Sequence, residues 1–287
     1  MNATVSRFPA GALRLFALAV AAAAAWIGFN LALPELASAV RSSNVIRVVI
    51  HIIILAGLWL GLARTDLSER ERITLWLVIA VPFTAWLGLV WGLAVNDFFR
   101  AIPGVPQNPP RLPLAIFVPL LVALPLLMVR SRRIAALIDA TPAAWLIGLQ
   151  VTRIFGGIFL VGWMQGELPG AFALPAGIGD ITVGVLALPA ALFVASGTAT
   201  GRAIGVAWNL LGLTDFATAI ATGAMTSPGQ FQVLALDHPN LQAGIYPNVM
   251  IPAFAVPSLI ILHVLSLWQL RRAARRPGGL QLALAAG

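Results

Sequence analysis

Apolar residues along this chain gather into long runs, separated by short stretches that carry arginine, proline or glycine. Crossing the ~30 Å hydrocarbon layer of a bilayer takes ~20 mainly apolar residues. Runs of about that length extend from Leu13 to Leu33, Val45 to Ala63, Ile73 to Val95, Leu112 to Val129, Pro142 to Gln165, Gly177 to Ser196, Ala203 to Ala224 and Asn248 to Leu270. Lipid offers a bare backbone no hydrogen-bond partner, so a spanning segment is either a helix or a strand of a closed barrel. Barrel strands read as ~10-residue alternating segments, and these runs do not alternate. The pattern predicts an all-α, polytopic transmembrane bundle of eight spans, one integral membrane domain over residues 1–287.

Charge fixes the orientation. Only 10% of the residues are charged, against ~25% in soluble domains. A net charge of +8 would suggest nucleic acid in a soluble protein, but these arginines occupy the gaps between apolar runs. They read as orientation signals, with the lipid bilayer as the partner and no nucleic acid expected. An inside N-terminus gives the cytoplasm Arg7, Arg14, Arg64, Arg70, Arg72, Arg130, Arg132, Arg133, Arg202, Arg271, Arg272, Arg275 and Arg276, and leaves Arg41, Arg47, Arg100 and Arg111 outside. That bias predicts a multi-pass protein of a bacterial-type plasma (inner) membrane with both termini inside. Arg7 and Arg14 followed by an apolar run ending near Ala37-Ser38-Ala39 also resemble a signal peptide. The apolar region of such a peptide is typically ~7 to 15 residues, shorter than this run, so an uncleaved first span is expected.

Composition removes several chemistries. All eighteen basic residues are Arg, so no lysine can form a Schiff base or complete a phosphate-binding loop. There is no Cys, hence no disulfide, thiolate-bound zinc or iron–sulfur cluster. His51 and His263 fall roughly 13 Å apart along the membrane normal at 1.5 Å per helical residue, too far for a shared haem. Asp237-His238 offers two ligands where zinc needs three or four. No cofactor and no metal site is expected, and lone His51 and His263 read first as packing residues.

Ionisable side chains inside a span cost ~2.5 to 3.5 kcal/mol on insertion scales and usually face a partner or a water-filled cavity. Arg153 lies near the middle of the fifth run and Asp215 at similar depth in the seventh, which predicts a buried ion pair. Gln150 shares the Arg153 face, Thr218 and Thr222 extend the Asp215 face, and Asn209 and Asp180 lie nearby in depth. Asp180 closes Gly177-Ile178-Gly179-Asp180 and reads as a helix N-cap, with a place in an outer vestibule as the second reading. His51, four residues after Arg47, adds a group able to change charge near neutral pH. The candidate ligand-binding set is Arg153, Asp180, Asn209, Asp215, Gln150 and His51, with no catalytic residue assigned.

Glycines four apart at Gly57/Gly61, Gly88/Gly92, Gly162/Gly166 and Gly201/Gly205 predict close helix packing. The stretches Gly166 to Gly179 and Met225 to Pro247 are expected as outer surface loops. Asn96-Asp97-Phe98 with Ala101-Ile102 parallels Thr214-Asp215-Phe216 with Ala219-Ile220, a weak hint of a 4+4 internal repeat, 1–133 and 134–276. The leading functional expectation is a transporter or permease for a small solute, with a polar cavity between spans five, six and seven and a proton-coupled Asp215. Its rivals are a membrane-embedded enzyme acting on a lipid through Asp180, Asp237 or His238, and a non-catalytic subunit docked on a membrane-protein partner or on its own copies.

Overall fold

The computed structural model describes residues 9, 11–40, 42–105, 107, 109–128 and 131–275. Arg7, Arg41, Val129, Arg130 and Arg276, which entered the span and charge pattern, lie outside the described residues. The described residues form helices and no strands: α1 Ala12–Ala32, α2 Pro34–Val40, α3 Ser42–Ala63, α4 Glu69–Val95, α5 Arg111–Met128, α6 Arg132–Ala140, α7 Ala143–Gly148, α8 Ile158–Met164, α9 Gly170–Ala195, α10 Ala199–Thr226 and α11 Val256–Arg275. A 3₁₀ stretch, Leu149–Gly157, joins α7 to α8 into one span, and a π-helical turn, Ile251–Ala255, leads into α11.

Seven of these helical segments are long and apolar enough to cross a membrane: α1, α3, α4, the α7–α8 composite, α9, α10 and the π turn with α11. The shorter apolar helix α5, 18 residues long, reaches about 27 Å at 1.5 Å per residue. This is the multi-pass bundle of about eight spans that the apolar pattern predicts. Two of its long helices start on polar caps. Ser68 and Glu71 form a reciprocal capping box at the start of α4, and Thr198 accepts the Gly201 amide at the start of α10, each satisfying an orphan helix donor.

The core is built on α9, which packs on α10, the 3₁₀ stretch, α7 and α1. Small residues make that possible. A Cβ at Gly177 would lie 2.7 Å from Leu160 Cγ, and one at Gly184 would lie 2.7 Å from the Ile154 amide nitrogen. The indole of Trp26 on α1 donates to Phe155 O at 3.1 Å, tying the first span to the same 3₁₀ stretch. At the inner side, amphipathic α6 is held to α11 by Gln269 Nε2, which donates to Ile138 O and Thr141 O at 2.9 and 2.6 Å, and by Arg272 on Asp139.

Several expectations need correction. Gly166 to Gly179 is not a loop: α9 starts at Gly170 and runs through Pro175. Phe172, Ala173 and Ala176 are buried against neighbouring spans, so packing outweighs the one backbone hydrogen bond a proline removes. Gly57, Gly61, Gly162, Gly201 and Gly205 do sit against neighbours, but Gly88, Gly92 and Gly166 meet nothing within 4 Å. Met225 to Pro247 begins inside α10 and folds back on its end, where Met225 O accepts the amides of Val233 and Leu234.

The close approach of α9 makes a paired prediction. Gly184→Ala forces α9 off the 3₁₀ backbone and lowers stability by about 1–3 kcal/mol, the usual cost of overpacking. Gly88→Ala, with open space around it inside α4, leaves stability unchanged or raises it by up to about 1 kcal/mol. Thermal unfolding of the two variants in detergent compares them directly.

Candidate functional site

Arg153 stands in the middle of the 3₁₀ stretch. Summing 1.5 Å per α residue and ~2.0 Å per 3₁₀ residue puts it about 18 Å along its span, close to the bilayer centre. In a 3₁₀ helix residues three apart eclipse one another, so Gln150, Arg153 and Gly156 form one line. Gly156 matters to its neighbour, because a Cβ there would run into the Asp180 carboxyl group. Gly179 does the same for Asp215. Two missing side chains thus give two carboxylates room to reach one arginine.

The Arg153 side chain is fully enclosed. Its Nε donates to Asp180 Oδ1 at 2.8 Å, its Nη2 donates to Asp215 Oδ2, and its Nη1 donates to Gly212 O at 3.3 Å. The guanidinium plane lies over the Phe216 ring, 3.8 Å from Cζ to centroid. Nη1 is also 3.3 Å from His263 Nε2. Since a guanidinium only donates, Nε2 is the acceptor, and the ring proton sits on Nδ1. That nitrogen donates to Asn209 Oδ1 at 2.9 Å, while Asn209 Nδ2 donates to Gly205 O and Ser266 Oγ at 2.7 and 3.0 Å. A continuous hydrogen-bonded chain therefore links the two carboxylates, through Arg153, to the α10–α11 contact. Burying a charged group this deep is tolerable only with such complete partnering.

Beside the cluster lies a cavity of about 800 Å³ lined by the ends of the spans on one side of the bundle and by the loop after α10. Asp180 and Phe216 belong both to its lining and to the arginine cluster. The side chain of Asp180 keeps 16% exposure and that of Asp215 9%, while Arg153 has none. Below the cluster, Ile147, Val183, Ala187, Ala190 and Trp208 pack into a buried apolar layer.

Of the residues singled out in the sequence, Arg153, Asp180 and Asp215 meet directly, and Asn209 joins through His263. The N-cap reading of Asp180 is overturned, since α9 begins ten residues earlier at Gly170 and Asp180 is mid-span. Gln150 is fully buried but donates to Leu259 O at 3.0 Å and does not touch the cluster. His51 is elsewhere, stacked on Phe83 with Nε2 3.4 Å from Thr84 Oγ1. Thr218 and Thr222 spend their hydroxyls on backbone carbonyls of α10. Asp237 and His238 line a smaller cavity of about 420 Å³, which Asp180 does not reach. Among the described residues no group of three or more carboxylates and histidines is arranged to hold a metal.

Sequence reasoning missed His263. The signal was available: counting from the last residue of α11 puts it about 18 Å in at 1.5 Å per residue, level with Arg153. Comparing its depth with that of His51 alone concealed this.

The chain predicts its own coupling test. His263→Leu strands an Arg153 donor and the Asn209 acceptor, each a loss of about 1–3 kcal/mol if unsatisfied. Adding Asn209→Leu then costs less than its own single effect, because the broken bond is shared. Additive losses in a double-mutant thermal-unfolding cycle would show the two side chains to be independent.

A family model described as a domain of unknown function (DUF8737) matches residues 109–271, the part that holds the whole Arg153 cluster. No curated protein and no solved structure matches the chain.

Proposed function

The chain belongs to this DUF8737 family, and from the geometry of the buried cluster we propose that it is a transporter or permease for a small solute in the plasma (inner) membrane, with proton movement coupled through Asp215 or Asp180. One observation carries the reading: a mid-span arginine, on a 3₁₀ stretch, is held by carboxylates from two other spans, and one of these, Asp180, lines a cavity at the end of the bundle that the arginine pattern assigns to the outside.

On this reading the structure stands as one half of an alternating cycle. The outer half is hollow, and the inner half is closed by the apolar layer around Ile147 and Trp208. Nine residues of 3₁₀ helix are unusual, since runs beyond 3–4 are uncommon and often mark hinges. Relaxing them to α geometry would shorten that span by about 4–5 Å. The ion cluster opposes this change by pinning Arg153 to α9 and α10. A proton taken up by one carboxylate, or a solute charge bound beside it, removes one of the two restraints. Binding energy then shifts the population between the two states, as coupling requires.

Reconstitution into liposomes tests this. Solutes added outside should be taken up along a pH gradient, with entrapped pyranine reporting proton entry. Asp215→Asn and Asp180→Asn should each cut the flux at least tenfold while the proteins remain monodisperse, and His238→Ala should leave it intact. Absence of flux for every solute class, with and without the gradient, counts against transport.

A further inference from the structure

Resting on the transport reading, we infer that the solute is an organic cation: an ammonium group on a small apolar body, with an oxygen that can accept a hydrogen bond.

Arg153 is not available to hold an anion. Of the five N–H groups of a guanidinium, four are directed at Asp180, Gly212 O, His263 and Asp215, and Phe216 covers the face. An incoming anion would have to displace a carboxylate already in place. The surplus lies on the other side of the balance, one guanidinium against two carboxylates, which leaves one formal negative charge. Asp180 is the charged member of the cluster that lines the cavity.

The rest of the lining has the same bias. Its charged residues are Asp97, Glu167 and Asp180, and no basic side chain among the described residues lines it, in a chain with 18 basic and only 10 acidic residues. Two further arginines touch lining residues without themselves lining the cavity. Arg100 pairs with Asp97 at 3.4 Å in an exposed contact, and Arg47 lies over Trp91 and Tyr246. Neither enters the cavity wall. The aromatic rings of Phe99, Phe159, Phe172, Phe216, Phe231 and Tyr246 also face this space. Carboxylates interleaved with aromatic faces are the chemistry that recognises alkylammonium groups, worth ~0.5–2 kcal/mol per ring contact when desolvated.

Asn240 is an independent pointer. It lines the cavity at 1% exposure; its Oδ1 accepts the Ala243 amide at 3.2 Å, and its Nδ2 has no hydrogen-bond partner among the described residues. An unpaired buried amide donor is costly and suits an oxygen on the solute. The volume of about 800 Å³ falls within the ~300–1,000 Å³ usual for small-molecule sites.

Binding can be measured without transport. Full-length protein in nanodiscs is titrated calorimetrically with choline, benzyltrimethylammonium, benzyl alcohol and benzoate. Saturable binding of a cationic probe at least tenfold tighter than benzoate and benzyl alcohol is expected. Glu167→Gln, at the rim and clear of the Arg153 cluster, should weaken it at least threefold, and Asp180→Asn more strongly where that variant folds. Binding of none of the probes, benzoate matching the cations, or a Glu167→Gln titration identical to the parent overturns the inference. Cation binding without any liposome flux would retire transport and leave the cation site standing; flux of an anionic or neutral solute would do the reverse.

Discussion

A guanidinium at the centre of a bilayer has to be paired, and four of the spans are arranged around meeting that demand at Arg153. Its partners come from three other spans: Asp180 on α9, Asp215 and the Gly212 carbonyl on α10, and His263 on α11. Each partner is useful only if its helix comes close, and the glycines of the 3₁₀ stretch and α9 allow that. The requirement to satisfy one charge therefore specifies which helices touch and at what depth. Burial of such an ion cluster is weak evidence of stability, since desolvation can cancel the attraction. Its stronger effect is on specificity, because an alternative packing would leave charges bare.

The bundle is correspondingly uneven. α9, α10, α11 and the α7–α8 span form a tight interior, whereas α1, α3 and α4 present mostly lipid-facing surface, with few buried residues in each. The family match covers the tight part together with α5 and α6. Polar chemistry is thus concentrated in the helices that pack best, and the outer cavity is completed by the ends of the looser ones and by the segment after α10.

The span count was legible in the sequence because it depends on summed hydropathy, which needs no tertiary information. So was the Arg153–Asp215 pairing, since two ionisable groups at equal depth have few other ways to be accommodated. The start of α9 was not legible. Gly170, Pro175, Gly177 and Gly179 look like loop residues locally, and only the partners pressed against them show that they serve helix contact. Nor was the 3₁₀ winding of Leu149–Gly157 legible, because apolar periodicity does not distinguish the two windings over nine residues. His51 failed to join the site because rotational position about a helix axis was not fixed by counting, and Gln150, although in line with Arg153, lies one 3₁₀ turn of about 6 Å away and bonds Leu259 O instead.

The two sockets left by Gly156 and Gly179 also set the length of the acids that use them. Each carboxylate fills the space where a β-carbon would otherwise stand, so the distance from the α9 or α10 backbone to Arg153 is matched to a side chain with a single methylene. Glutamate would push an extra carbon toward the facing backbone, most closely at Asp215, whose carboxylate overlies Gly179. A change at either glycine would have to be accompanied by retreat of the acid it shelters.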